Sequence, residues 1–204
     1  ENSKDVCKIS TTKDYIGIIE FDVRKSKDGI LYRYHGTLLQ YWFGFIFSQK
    51  FSDIKKKYSI DSLEEILQVI TENKTIFLDL KSTSITREDI SNALRDKKFK
   101  EIILGNTGLF SVSFLGRFHN MPKEFVKAMN GNIFCNFYNL KKVKEKNYKY
   151  FEVVFPFQIN KKLVENVKKN NLEFRCAGLF FPNGKSYWEK INKYNIKHVS
   201  SDFV

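Results

Sequence analysis

Cysteine is scarce in this 204-residue chain: Cys7, Cys135 and Cys176 are its three, far apart and without a Cys-x-x-Cys pair. Neither a disulfide framework nor a thiolate zinc site follows from such spacing, and a reducing compartment is favoured. A cytoplasmic location is therefore the expectation, with secretion or membrane association left open. Cys135, in Ile133-Phe134-Cys135-Asn136-Phe137, reads as a small buried hydrophobe. Long apolar runs are also lacking. None approaches the ~18 residues that span a bilayer, and the nearest candidate, Leu38–Phe47, is interrupted by Gln40 and Gly44. No repeat, low-complexity stretch or linker divides the chain, so one domain over residues 1–204 is expected.

Acidic residues are in deficit, 23 against 35 Lys and Arg, for a net charge of +12. The lysines are scattered (Lys55–Lys57, Lys97–Lys98, Lys141–Lys149, Lys161–Lys162, Lys168–Lys169), and no helix-turn-helix, zinc-finger or base-stacking signature accompanies them. They read as solvated helix surfaces rather than a nucleic-acid footprint, although such a field would still gather an anionic substrate. Hydrophobic content of 42% with 28% charged residues is that of an ordinary globular protein.

What is present is concentrated in Glu20–His35. Ile16-Gly17-Ile18-Ile19-Glu20-Phe21-Asp22-Val23 reads as a strand whose apolar run is broken by two carboxylates on one side. Two like charges so placed call for a cation, either Arg24 or Lys25 as an ion-pair partner or a hard divalent metal. A turn at Ser26-Lys27-Asp28-Gly29 and a return strand, Ile30–Tyr34, bring His35 back toward that acidic end. An imidazole with an ordinary pKa near 6.5 suits proton transfer there.

These residues resemble the signature of the glycerophosphodiester phosphodiesterases, which runs Ile-Glu-x-Asp-Val, Thr-Lys-Asp-Gly, then a short strand ending in His-Asp. Further likenesses are Glu1-Asn2-Ser3, Ile60-Asp61-Ser62-Leu63-Glu64-Glu65-Ile66-Leu67, Leu78-Asp79-Leu80-Lys81 and the closing Val199-Ser200-Ser201-Asp202-Phe203. The resemblance implies Glu20, Asp22 and Asp79 as ligands of one divalent ion, Ca2+ or Mg2+. It implies His35 as general acid, Lys81 at the substrate phosphate and Glu1 near the substrate. The implied partner is a small phosphodiester such as a glycerophosphodiester, with a lysophospholipid or membrane surface second and no nucleic acid. Three departures stand out. The family's His-Arg-Gly strand would precede Glu1, its third carboxylate is usually Glu rather than Asp79, and Gly36 follows His35 in place of Asp.

The rest of the chain alternates. Helices are expected at Asp61–Glu72 (Asp61 capping, Glu64 three on), Thr86–Lys97, Pro122–Asn130, Leu140–Glu145, Asn160–Lys169 and Ser186–Lys193. Strands are expected at Thr75–Lys81, Glu101–Gly105, Asn132–Tyr138, Tyr150–Phe155, Phe174–Phe181 and His198–Ser201. With Ile16–Val23 this makes seven parallel strands, one short of a TIM-type (β/α)8 barrel. The absent first strand coincides with the absent His-Arg-Gly. An active metal-dependent phosphodiesterase and a non-catalytic or truncated barrel relative that binds phosphorylated ligands both remain compatible with the sequence. The aromatic run Leu38–Phe47 reads as lid or core packing, or as an apolar wall for an acyl chain. Trp188 reads as core, and His119 and His198 as structural.

Overall fold

The computed structural model describes residues 4–35, 49–106, 115–118, 121, 125–131, 148–153, 158–177 and 185–200. These divide into two compact units, one essentially 1–104 and the other essentially 126–204. In the first unit helix α1 (Lys4–Thr11) leads into β1 (Ile18–Lys25) and its antiparallel partner β2 (Leu31–Arg33). Helices α2 (Phe51–Tyr58) and α3 (Leu63–Leu67) follow, then β3 (Thr75–Leu80), α4 (Arg87–Ala93) and β4 (Glu101–Gly105). The strand order is β2-β1-β3-β4, with β1 and β3 parallel.

Alternation along β1 explains its orientation. Ile19, Phe21 and Val23 are buried, whereas Ile18, Glu20 and Asp22 are only partly so. β3 is buried along its whole length, including Asp79, as expected for a parallel strand covered on both faces. The turn between β1 and β2 is built by its own residues. Ser26 donates to Asp28 (2.7 Å) and accepts from the Ile30 amide (3.0 Å), and Gly29 takes φ +89°, a region other residues rarely adopt. The Asp28 carboxylate also accepts the Phe51 amide at 2.9 Å, capping the first turn of α2. The signature turn thus also fastens a helix.

The second unit holds β5 (Phe125–Gly131), β6 (Tyr148–Val153), α5 (Lys161–Lys169), β7 (Glu173–Ala177), α6 (Lys185–Tyr194) and β8 (His198–Ser200). Its strands run in chain order, and each neighbouring pair is parallel. Leu163, Val164 and Val167 form the buried stripe of α5, whose N-cap Asn160 accepts the Leu163 amide at 3.0 Å.

Three expectations are corrected. Residues 125–131 form a strand, not part of a helix over Pro122–Asn130. They pair in parallel with β6 from Lys127↔Tyr148 to Gly131↔Val153, so sheet pairing overrides a helix-compatible local pattern. The helix expected from Asp61 begins at Leu63, because Ser62 rather than Asp61 makes the capping box with Glu65. Trp188, on α6, is 41% exposed and not in the core. The strand expected at 132–138, the helix at 140–145, Cys135, His119 and the aromatic run 38–47 lie outside the described residues. Cys7 and Cys176 are buried, and burial pushes the Cys7 thiol up to about 11. Among the described residues no helix is long and apolar enough to cross a membrane.

Candidate functional site

The residues singled out by the sequence fall on β1, on the segment after β2 and at the end of β3, all in the first unit. The parallel register pairs Asp22 directly with Asp79, and Glu20 with Phe77. Asp22 and Asp79 therefore lie side by side on adjacent strands, with Glu20 on the same face two residues back. The pairing continues one step past β3, where the Lys81 amide donates to the Val23 carbonyl at 2.8 Å. This sets the Lys81 side chain on the acidic face.

Its ammonium group lies between the two carboxylates, 2.5 Å from Asp79 Oδ2 and 3.0 Å from Asp22 Oδ1. Asp79 is 1% and the Lys81 side chain 10% exposed, so the three charges sit in a largely water-excluded place. Burial alone pulls the Lys81 pKa down. Asp79 and then Asp22 outweigh that and hold the ammonium above the usual lysine range. A buried pair of carboxylates is tolerable only with such a cation between them.

His35 is brought to the same end. The Tyr34 amide donates to the Asp22 carbonyl (3.0 Å), so the antiparallel pairing continues past β2, and His35 follows exposed to solvent. The neighbouring Lys25 is committed elsewhere, its Nζ 2.7 Å from Asp89 in the capping box of α4. Glu1 lies outside the described residues. Sequence reasoning passed over Arg24 except as an ion-pair candidate. It is 2% exposed and donates to two main-chain carbonyls, Tyr34 O at 2.8 Å and His35 O at 3.1 Å. A charged residue one step past Val23 in a buried strand was the available signal.

Asp22 and Asp79 suit a hard divalent ion by donor chemistry and by register, and the place they form already attracts a cation. Glu20 is not gathered with them. Among the described residues no three His, Cys, Asp or Glu side chains form a group able to hold a metal ion. Two of the three expected ligands are therefore brought together, with Lys81 between them.

No protein-family profile matches the chain, and no curated protein matches it in sequence. Solved structures do match in fold. One, from Galdieria sulphuraria and assigned as a glycerophosphodiester phosphodiesterase, is 15% identical over 91% of this chain and 82% of its own, with a TM-score of 0.73. The glycerophosphodiester phosphodiesterase of Agrobacterium tumefaciens is 15% identical over 97% and 87%, with a TM-score of 0.66. A calcium-dependent phosphoinositol-specific phospholipase C from Pseudomonas is 12% identical over 91% and 80%, at 0.50. The chain thus shares the TIM-type α/β fold of phosphodiesterases, as expected from its strand and helix alternation.

Proposed function

We propose that this chain is a phosphodiesterase that hydrolyses glycerophosphodiester-type substrates to an alcohol and a phosphomonoester. The observation that carries the reading is the Asp22–Lys81–Asp79 arrangement at the ends of two parallel strands, with the segment leading to His35 hydrogen-bonded to Asp22. The C-terminal ends of parallel strands are where barrels of this type do their chemistry. Asp22 and Asp79 would hold Ca2+ or Mg2+, with Glu20, two residues back on the same face of β1, as the third ligand that the family resemblance implies; the ion when bound supplies positive charge to neutralise the diester. Lys81 contributes a second cation at the phosphate and neutralises the carboxylates in the cation's absence. His35, exposed at the rim, protonates the departing alkoxide oxygen.

The favoured substrate is a small, water-soluble diester, with a lysolipid second. Comparing glycerophosphocholine with lysophosphatidylcholine, in the wild type and in Trp42→Ala, orders them. A lysolipid preference that collapses in the variant would reverse that order. The reading itself is tested by phosphomonoester release from glycerophosphocholine by the wild type, His35→Ala and Asp22→Ala, with calorimetric titration of Ca2+ and Mg2+. His35→Ala should slow turnover at least a hundredfold. Asp22→Ala should abolish both turnover and cation binding. Wild-type protein that binds the diester without cleaving it would make the chain a binder of phosphorylated ligands instead.

A further inference from the structure

We propose that Arg24 is a positioning residue that holds the main chain of His35 in its working conformation. The inference rests on the reading of His35 as the proton donor. β2 ends at Arg33, and the antiparallel pairing continues from the Tyr34 amide to the Asp22 carbonyl at 3.0 Å. His35 lies two residues past the end of β2 and is exposed to solvent. A proton donor works only where its backbone is held in one orientation.

The Arg24 guanidinium holds the main chain on both sides of the His35 Cα. Nε donates to the Tyr34 carbonyl at 2.8 Å and a terminal nitrogen donates to the His35 carbonyl at 3.1 Å. The first carbonyl belongs to the peptide group before the His35 Cα and the second to the peptide group after it. One planar, rigid fork thus restrains the two peptide planes that flank the imidazole-bearing carbon. The fork itself is fixed, since Arg24 is 2% exposed and lies on β1 two residues beyond Asp22. The same strand therefore sets the position of the carboxylate and of the imidazole's backbone. Lysine cannot replace this function, because a single ammonium on a flexible stem lacks the two fixed, coplanar donor directions.

The test uses Arg24→Lys, which keeps the charge, and Arg24→Gln, which keeps a donor without charge, so that at least one folded variant is available. Steady-state cleavage of glycerophosphocholine is measured in each, alone and combined with His35→Ala. Alongside, the imidazole Cε1–H resonance of His35 is followed by NMR, which is tractable because the chain has three histidines. Both Arg24 variants should lower kcat about tenfold to a hundredfold while KM changes less than about twofold, as expected for a misplaced catalytic group. The His35 resonance should shift or broaden. In the His35→Ala background the Arg24 changes should cost nothing further, the full coupling expected of two residues acting through one. Wild-type kcat with an unmoved His35 resonance overturns the inference. So does a rise in KM alone that Arg24→Lys restores, since that is the behaviour of a charge and not of a clamp. If the wild type cleaves the diester and His35→Ala does so equally fast, the assignment of His35 falls, and with it this role for Arg24. The His35 resonance in the Arg24 variants separates that case from failure of the clamp itself.

Discussion

Lys81 is the residue on which the candidate site turns, because it neutralises two carboxylates that strand pairing forces together. Replacing it with an uncharged side chain leaves Asp22 and Asp79 facing each other in a water-poor place. Lys81→Met should cost about 3–5 kcal/mol of folding stability, the usual consequence of removing one partner of a buried charge group. If a divalent cation can occupy the same place, millimolar Ca2+ or Mg2+ should raise the melting temperature of Lys81→Met more than that of the wild type. Equal cation responses in thermal scans would count against a metal site at Asp22 and Asp79. The pH dependence follows from the sign of the shift. The folded-state pKa of Lys81 is raised above its usual 10.5, so its contribution is complete below pH 10.5 and is lost only as pH climbs past that value. Above that pH the stability of Lys81→Met should accordingly fall less steeply than that of the wild type.

At the level of elements, side chains tie strand and helix ends to one another. Lys74, 3% exposed just before β3, donates to the carbonyls of Lys13 (2.7 Å) and Ile16 (2.8 Å), and so secures the segment that leads into β1. Lys74→Met removes both bonds, leaving the Lys13 carbonyl the Ile16 amide at 3.1 Å, and should cost about 1–3 kcal/mol by denaturant unfolding, with turnover per folded molecule unchanged. The α3 capping box makes a different prediction. The Lys55 ammonium, 2.6 Å away, and then the Ser62 amide lower the Glu65 pKa from 4.5 to about 2. A depressed carboxylate stabilises above its unfolded value and loses that contribution as pH falls, here between 4.5 and about 2. Glu65→Gln should therefore flatten the acid limb of the stability profile over that interval. Ser62→Ala, which removes the other half of the box, should cost about 1 kcal/mol at neutral pH.

For the molecule as a whole, the excess of 12 positive charges is spread over many segments rather than gathered in one patch. Such a field accelerates encounter with anions without selecting among them, and salt screens it with a Debye length of about 8 Å at physiological ionic strength. For a diester carrying net negative charge, kcat/KM should fall several-fold between about 20 and 300 mM NaCl. For glycerophosphocholine, whose charges balance, it should hardly change. Equal salt dependence for the two would mean that the charge serves solubility alone.

The sequence by itself determined the features that short-range geometry controls. The two-residue spacing of Glu20 and Asp22, the Ser26–Gly29 turn, the helix start at Thr86 and the strand and helix alternation each depend on neighbours a few positions away, and each was legible. Glu20, Asp22 and His35 stand out by type and spacing, whereas Asp79 and Lys81 are picked out by the family resemblance. The tertiary structure decided how those residues meet. Strand register alone makes Asp22 the neighbour of Asp79 and leaves Glu20 opposite Phe77. Long-range pairing alone turns residues 125–131 into a strand, against a local pattern that reads equally well as helix. The partners of Arg24, the two carbonyls flanking the His35 Cα, exist only once β2 has folded back on β1. Periodicity fixes which face a side chain takes, but a buried charge finds its partner through backbone brought from ten or sixty residues away, and no local pattern encodes that distance.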